Sequence, residues 1–131
     1  MEAEGVILAH NGTLWDHRSL WREADTDTQA IVCWLSHHWQ PRTTEGLIGT
    51  LRELLGKAHD HTALDLLLSA RGYLYTFCCY SRDLDYYTLW YRKNDGRVAI
   101  ASEPGTGAWK PISNRTLLAV DPHLRLSLCK V

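Results

Sequence analysis

The first half of the chain contains one short apolar run followed by two segments with helical periodicity. Residues 5–9 are continuously apolar and lead into polar positions with an Asn-Gly turn signal, which predicts a buried strand running into a turn at 10–13. Apolar positions then recur at helical spacing from about 28 to 39, directly after a cluster of capping residues. A second apolar stripe follows Pro41 and ends before Gly56. Two successive helices are therefore expected after the first strand.

In the second half of the chain the hydrophobic period changes to that of strands. Leucine-rich, aromatic and β-branched segments alternate with turn signals, and Asn94-Asp95-Gly96 is typical of a hairpin turn. The expected strands are 64–70, 73–81, 86–92, 97–103, 116–120 and 124–129. Because the helices are grouped and the strands follow as a group, the sequence predicts a single α+β domain over 1–131, with antiparallel sheets and helices packed on them.

Composition narrows the class of protein without identifying it. The chain is 45% hydrophobic and 22% charged, as in ordinary soluble proteins, and its formal net charge is −1. This balance offers no general attraction for nucleic acid or an anionic membrane, so neither is expected as a partner. The longest uncharged stretch near the middle, 72–81, is far shorter than the roughly twenty residues that span a bilayer. The acidic start lacks the features of a secretory signal, which favours a cytoplasmic location.

Cysteine and histidine residues give no strong signal for a metal or a disulfide framework. The four cysteines lack the spacing of a disulfide scaffold, and Cys78 and Cys79 would point to opposite faces of a strand as buried small side chains. Cys33 and His37 share a helical face, but the spacing matches no zinc finger or metalloprotease signature. Free thiols, no metal and no cofactor are therefore expected.

Two features near the start of the chain could carry chemistry. The Asn11 side-chain amide and the Gly12 backbone N–H, at the end of a strand, could both point at one oxygen, as an oxyanion hole requires. An isolated Asn-Gly pair is more often only a tight turn. Asp27 in the first turn of a helix is stabilised by the helix dipole and could also accept a ligand's ammonium group, although such a residue is usually a cap.

The order of these features along the chain is more specific than either alone. An apolar strand ends in His-Asn-Gly-Thr at 10–13, and Thr-Asp-Thr at 26–28 opens an amphipathic helix. Farther along, Ala-Ser-Glu-Pro at 101–104 is followed by Trp109. This arrangement, over residues 5–120, resembles the class II glutamine amidotransferases of the N-terminal-nucleophile hydrolase superfamily, in which a strand ends in His-Asn-Gly and the next helix opens with Ser-Asp-Thr or Ser-Asp-Ser.

The resemblance implies part of an αββα sandwich that hydrolyses the side-chain amide of glutamine to glutamate and ammonia. Asn11 and Gly12 would stabilise the oxyanion, Asp27 with Thr28 would bind the substrate's α-amino group, and His10 would orient the turn by a hydrogen bond. Supporting roles would fall to Thr26, Ser102 and Glu103. No cofactor is implied.

One group that is essential in the family is missing from this sequence. The family nucleophile is a cysteine at the processed N-terminus whose own α-amino group acts as base, whereas here Glu2 follows Met1 and no cysteine lies before the oxyanion turn. We therefore expect the C-terminal part of such a domain, inactive alone, with a second chain supplying the nucleophile or accepting ammonia. The alternative is a non-catalytic binding or regulatory module derived from the same fold. If the domain is truncated, the aromatic strand at 86–91 is expected to become an aggregation or partner-binding surface.

Overall fold

Two antiparallel sheets organise the chain, and the computed structural model describes all residues from 1 to 131. The strands are β1 (Glu2–Ala3), β2 (Val6–Asn11), β3 (Asp65–Ala70), β4 (Tyr73–Cys78), β5 (Trp90–Asn94), β6 (Arg97–Ala101), β7 (Lys110–Pro111), β8 (Thr116–Val120) and β9 (Leu126–Lys130). The helices are α1 (Asp27–His38), α2 (Thr44–Leu55) and the single turn α3 (Leu84–Tyr87), with a short 3-10 helix at His17–Ser19.

The larger sheet has six strands in the order β1-β2-β3-β4-β8-β9, and the smaller one has three in the order β6-β5-β7. Every pairing is antiparallel. The register of β2 and β3 places Asn11 directly opposite Asp65 and Ala9 opposite Leu67. The predicted α+β class with antiparallel sheets is confirmed.

Both long helices begin where capping residues allow them to begin. The Thr26 hydroxyl accepts a hydrogen bond from the Gln29 N–H at the start of α1, and Thr43 accepts one from the Gly46 N–H at the start of α2. The two predicted helices are therefore confirmed to within about a residue at each end. No helix of the chain is long and apolar enough to cross a membrane.

The two faces of the larger sheet are covered to different extents. On its inner face, α1 and α2 pack over the buried side chains of β2, β3, β4 and β8. On its outer face, the smaller sheet covers β4 and β8 through a second, smaller apolar cluster. The outer face of β2 and β3 stays open, with Ile7 54% and Leu67 40% exposed. The strand predicted at 5–9 is β2, and it is buried on one face only, because the smaller sheet reaches only the end of its other face.

One predicted strand starts later than expected. The segment 86–92 was expected to be extended, but Tyr86 and Tyr87 belong to α3 and only the part from Trp90 onward is a strand. Asp83 adopts a left-handed backbone conformation with φ of 52°, and the chain then forms one helical turn that the Thr88 hydroxyl closes on the Leu84 carbonyl at 2.6 Å. Local side-chain hydrogen bonding therefore overrides the aromatic strand propensity here.

Candidate functional site

The turn after β2 is fixed to the segment that leads into β3. Gly12 has a φ of +122°, and a Cβ at this position would collide with the Ala63 carbonyl oxygen. Thr13 donates its N–H to the Thr62 hydroxyl at 3.0 Å, and Thr62 in turn donates its N–H to the Thr13 carbonyl at 3.0 Å. Only glycine satisfies both the backbone conformation and the close approach at this turn.

His10 connects the end of β2 with the start of α1. Its side chain is only 1% exposed, and its Nε2 lies 3.1 Å from the Ala63 carbonyl oxygen. A carbonyl can only accept, so Nε2 is the donor in this bond. The other ring nitrogen, Nδ1, lies 3.6 Å from Asp27 Oδ2. The buried imidazole therefore sits between the strand that carries Asn11 and the helix that carries Asp27.

The Asp27 carboxylate is held by backbone donors at the N-terminus of α1. Oδ2 accepts from the Leu14 N–H at 3.1 Å, and Oδ1 accepts from the Thr28 N–H at 2.7 Å. Its side chain is 23% exposed, so part of the carboxylate faces solvent. The positive end of the helix dipole and two N–H groups stabilise the charge, and the carboxylate remains able to meet a cationic group.

A cavity of about 200 Å³ lies between the two sheets next to the end of β2. His10 and Asn11 line it from the larger sheet, and Ser102, just past β6, lines it from the smaller one. The structure thus brings Asn11 and Ser102 to one cavity. The other predicted site residues do not line it: they are Gly12, Thr26, Asp27, Thr28 and Glu103. Glu103 is exposed in the loop that follows β6.

Asp65 is a residue of this cavity that the sequence reasoning missed. It is 3% exposed, and its Oδ1 accepts from the Cys79 N–H at 3.1 Å, while its Oδ2 has no hydrogen-bonding partner. Burial raises the pKa of the Asp65 carboxyl to about 7, against the opposing effects of the Cys79 N–H and the Cys78 thiol. A lone aspartate inside a leucine-rich strand is the signal that could have found it.

None of the chain's own cysteines lines the cavity, and two are strongly disfavoured as thiolates. Cys78 and Cys79 are buried, and burial raises the pKa of their thiols to about 12 and about 11. They lie on opposite faces of the larger sheet, as predicted, and belong to the two different apolar clusters. All four cysteines are free. No cluster of three or more histidine, cysteine or acidic side chains is arranged to hold a metal ion.

The chain resembles known proteins in structure. Its sequence similarity to known proteins is too low to assign a family. No protein-family model matches the chain, and no curated protein is similar to it. A glutamine aminotransferase class-II domain protein from Silicibacter pomeroyi superposes with a TM-score of 0.68 at 19% identity, over 98% of this chain and 68% of that one. A predicted glutamine amidotransferase from Pseudomonas aeruginosa PA01 gives 0.64 at 19% identity, over 93% of this chain and 61% of that one.

These neighbours are longer than the 131 residues described here, which span 68% and 61% of their lengths. At such low identity the likeness concerns the path of the backbone, which agrees in both cases over almost all of this chain. The chain therefore has the α+β fold of these two solved structures.

Proposed function

We propose that this chain is a glutamine amidotransferase-like domain that binds glutamine at the end of β2. The proposal rests on the position of His10. Its ring contacts the Ala63 carbonyl beside the Asn11-Gly12 turn and lies next to Asp27 at the N-terminus of α1. The fold shared with two glutamine amidotransferase-type structures supports it. The reaction we propose is hydrolysis of the side-chain amide, once the domain is completed by a cysteine-bearing segment.

Each residue at the turn has a chemical task in that reaction. Attack on the amide carbon places negative charge on the carbonyl oxygen, and the Asn11 amide with the Gly12 N–H would stabilise it. Asp27, held by the N–H groups of Leu14 and Thr28, would accept the α-ammonium group of glutamine through its exposed part. His10 would keep the two parts of the site together. Thr26 would support Asp27 by capping α1, and Ser102 and Glu103 would contribute from the loop after β6.

The two buried cysteines, Cys78 and Cys79, do not provide the nucleophile of this reaction. The pKa values of Cys78 and Cys79 are raised by burial, and neither lies at the cavity beside Asn11. A thiolate from a cysteine-bearing segment, on a longer product or on a second chain, would complete the site. We therefore expect these 131 residues to be inactive by themselves.

The second candidate is a non-catalytic module that keeps glutamine recognition without hydrolysis. The burial of Cys78 and Cys79 favours it, because neither thiol lines the cavity beside Asn11. The two candidates share the Asp27 site and differ only in whether a nucleophile reaches it. Binding and turnover therefore have to be measured separately.

The test combines ammonia release with glutamine binding, using the protein purified from its native host and the 131-residue chain. If the proposal is right, a product or assembly that contains the cysteine releases ammonia. Asn11→Ala then lowers kcat by roughly 100-fold to 1000-fold, while Asp27→Ala raises KM. The exposed Asp85→Ala is the matched control and should change neither. Glutamine binding without turnover in every preparation would establish the module, and absence of both would overturn the proposal.

A further inference from the structure

The cavity between the sheets contains two buried oxygens that the proposed reaction does not use. Asp65 is 3% exposed and Thr76 is fully buried, and both residues line the cavity. Neither Asp65 Oδ2 nor Thr76 Oγ1 has a hydrogen-bonding partner within the chain, and the Cys78 thiol that interacts with the Asp65 carboxyl is only a weak donor. A buried polar atom without a partner is rare and destabilising, so two of them beside one cavity call for a physical reason.

Apart from His10, Asn11 and Ser102, the other walls around these oxygens are apolar. Leu67 and Ala9 line the cavity from the larger sheet, while Leu89, Ile100 and Ala101 line it from the side of the smaller sheet. No lysine or arginine lines the cavity, so no cation of the chain is available there for the Asp65 carboxylate. A carboxylate beside an apolar cavity is stabilised most by a ligand that brings a positive charge and N–H donors of its own.

We propose that this cavity binds a short aliphatic primary ammonium ion, with its NH₃⁺ group on Asp65 and Thr76 and its alkyl chain against the apolar walls. One N–H would donate to Asp65 Oδ2 and another to Thr76 Oγ1, because both oxygens can accept. The volume of about 200 Å³ suits a small ligand and excludes a large cofactor. Thr76 lies on β4 and Asp65 on β3, so the rigid sheet sets the spacing of the two oxygens.

The ammonium group in this cavity and the ammonium group of glutamine would bind to different carboxylates, Asp65 and Asp27, although Asn11 and Ser102 line the cavity and also belong to the proposed glutamine site. Asp27 does not line the cavity. The inference therefore does not depend on glutamine hydrolysis, and its test uses the 131-residue chain with a simple amine. Asp27→Ala should leave the amine affinity unchanged, whereas it should reduce glutamine binding.

The experiment is a titration of the isotopically labelled chain with n-butylammonium chloride, followed by NMR near pH 8. We expect saturable shifts at residues 9–11, 65–67 and 100–102, and none with n-butanol or tetramethylammonium, which lack the charge or the N–H donors. Asp65→Asn has nearly the same shape and should weaken binding more than about tenfold, and Thr76→Val should weaken it roughly fivefold. The exposed Asp85→Asn should have no effect.

The affinity should also fall at about pH 5, because protonation of Asp65 removes the charge that the amine pairs with. The other titratable groups around Asp65 are His10 on β2, Cys78 at the end of β4 and Cys79 just after it, so the pH dependence must disappear in Asp65→Asn to be assigned. Circular dichroism establishes that the variants fold. Absence of saturable shifts in the wild type, equal affinity of Asp65→Asn, or equal binding of n-butanol would overturn the proposal.

Discussion

The two faces of the six-stranded sheet differ in what covers them, and the cavity beside Asn11 lies where the cover of the outer face stops. The inner face is sealed along β2, β3 and β4 by α1 and α2. The outer face is sealed only over β4 and β8, where the smaller sheet packs, and it is open over β2 and β3. The cavity with Asn11 and Asp65 is found at the border between the covered and the open parts. The inner face therefore forms most of the apolar core, and the partly covered outer face forms the cavity.

The largest expected effect comes from two neighbouring leucines of β3 that point to opposite faces. Leu68 is fully buried under the helices and Leu67 is 40% exposed on the outer face. Leu68→Ala should lower the free energy of unfolding by about 3 to 5 kcal/mol, because it leaves a cavity in the main core. Leu67→Ala should lower it by less than about 1 kcal/mol. Urea denaturation of both variants measures the contrast, and equal losses would mean that the outer face is packed in solution.

Ionisation of Asp65, on the outer face, should lower the free energy of unfolding as the pH rises. Asp65 has a pKa raised from 3.8 to about 7, so the native state binds more protons than the unfolded state between these values, and the free energy of unfolding falls across this window. At about pH 8 the penalty is on the order of 4 kcal/mol, and it is absent below about pH 4. Asp65→Asn should remove this pH-dependent loss of stability. Denaturation curves of the two proteins at several pH values should diverge above about pH 5, and parallel curves would contradict the assignment.

The turn at Gly12 should tolerate an added side chain less well than the turn at Gly96 does. Gly12→Ala combines the φ of +122° with a collision against the Ala63 carbonyl, and it should cost about 2 to 4 kcal/mol. Gly96→Ala, in the β5–β6 hairpin, has a φ of +66° and open space around the position, and it should cost about 1 kcal/mol. Thermal unfolding compares the two. Equal destabilisation of the Gly96 and Gly12 variants would show that the close approach of Gly12 to the Ala63 carbonyl adds nothing to the cost.

The smallest expected effect is at the helix caps. Thr26→Ala and Thr43→Ala each remove one side-chain acceptor of a first-turn N–H, which should cost about 1 kcal/mol. Only Thr26 lies beside Asp27, so only Thr26→Ala should also weaken glutamine binding. Thermal unfolding and glutamine titration of both variants test this pair. A loss of binding in Thr43→Ala as well would indicate a general effect of stability.

Elements that depend on local signals could be predicted from the sequence. The capping threonines predict α1 and α2, the Asp95-Gly96 turn predicts the β5–β6 hairpin, and the 116–120 strand matches β8. All of these depend on neighbouring residues only, through capping, turn preference and periodicity. The α+β class follows from their order along the chain.

Features that depend on distant pairing could not be predicted in this way. Asp65 lies opposite Asn11 only because β2 and β3 pair in one register across more than fifty residues. The open outer face of β2 depends on which strands the smaller sheet covers, and an apolar run alone does not reveal this. Asn11 and Asp27 could be named from the sequence as candidate site residues, but the contact of His10 with Asp27 and the cavity shared with Ser102 are visible only in three dimensions.

The proposed glutamine site is tested most directly by an NMR titration of the labelled 131-residue chain with L-glutamine. We expect saturable shifts at Asn11, Gly12 and residues 27–28, which disappear in Asp27→Ala and persist in Asp85→Ala. A folded chain whose signals at these residues do not respond to glutamine, or respond equally in Asp27→Ala, would contradict the claim that the end of β2 and the start of α1 form a glutamine site.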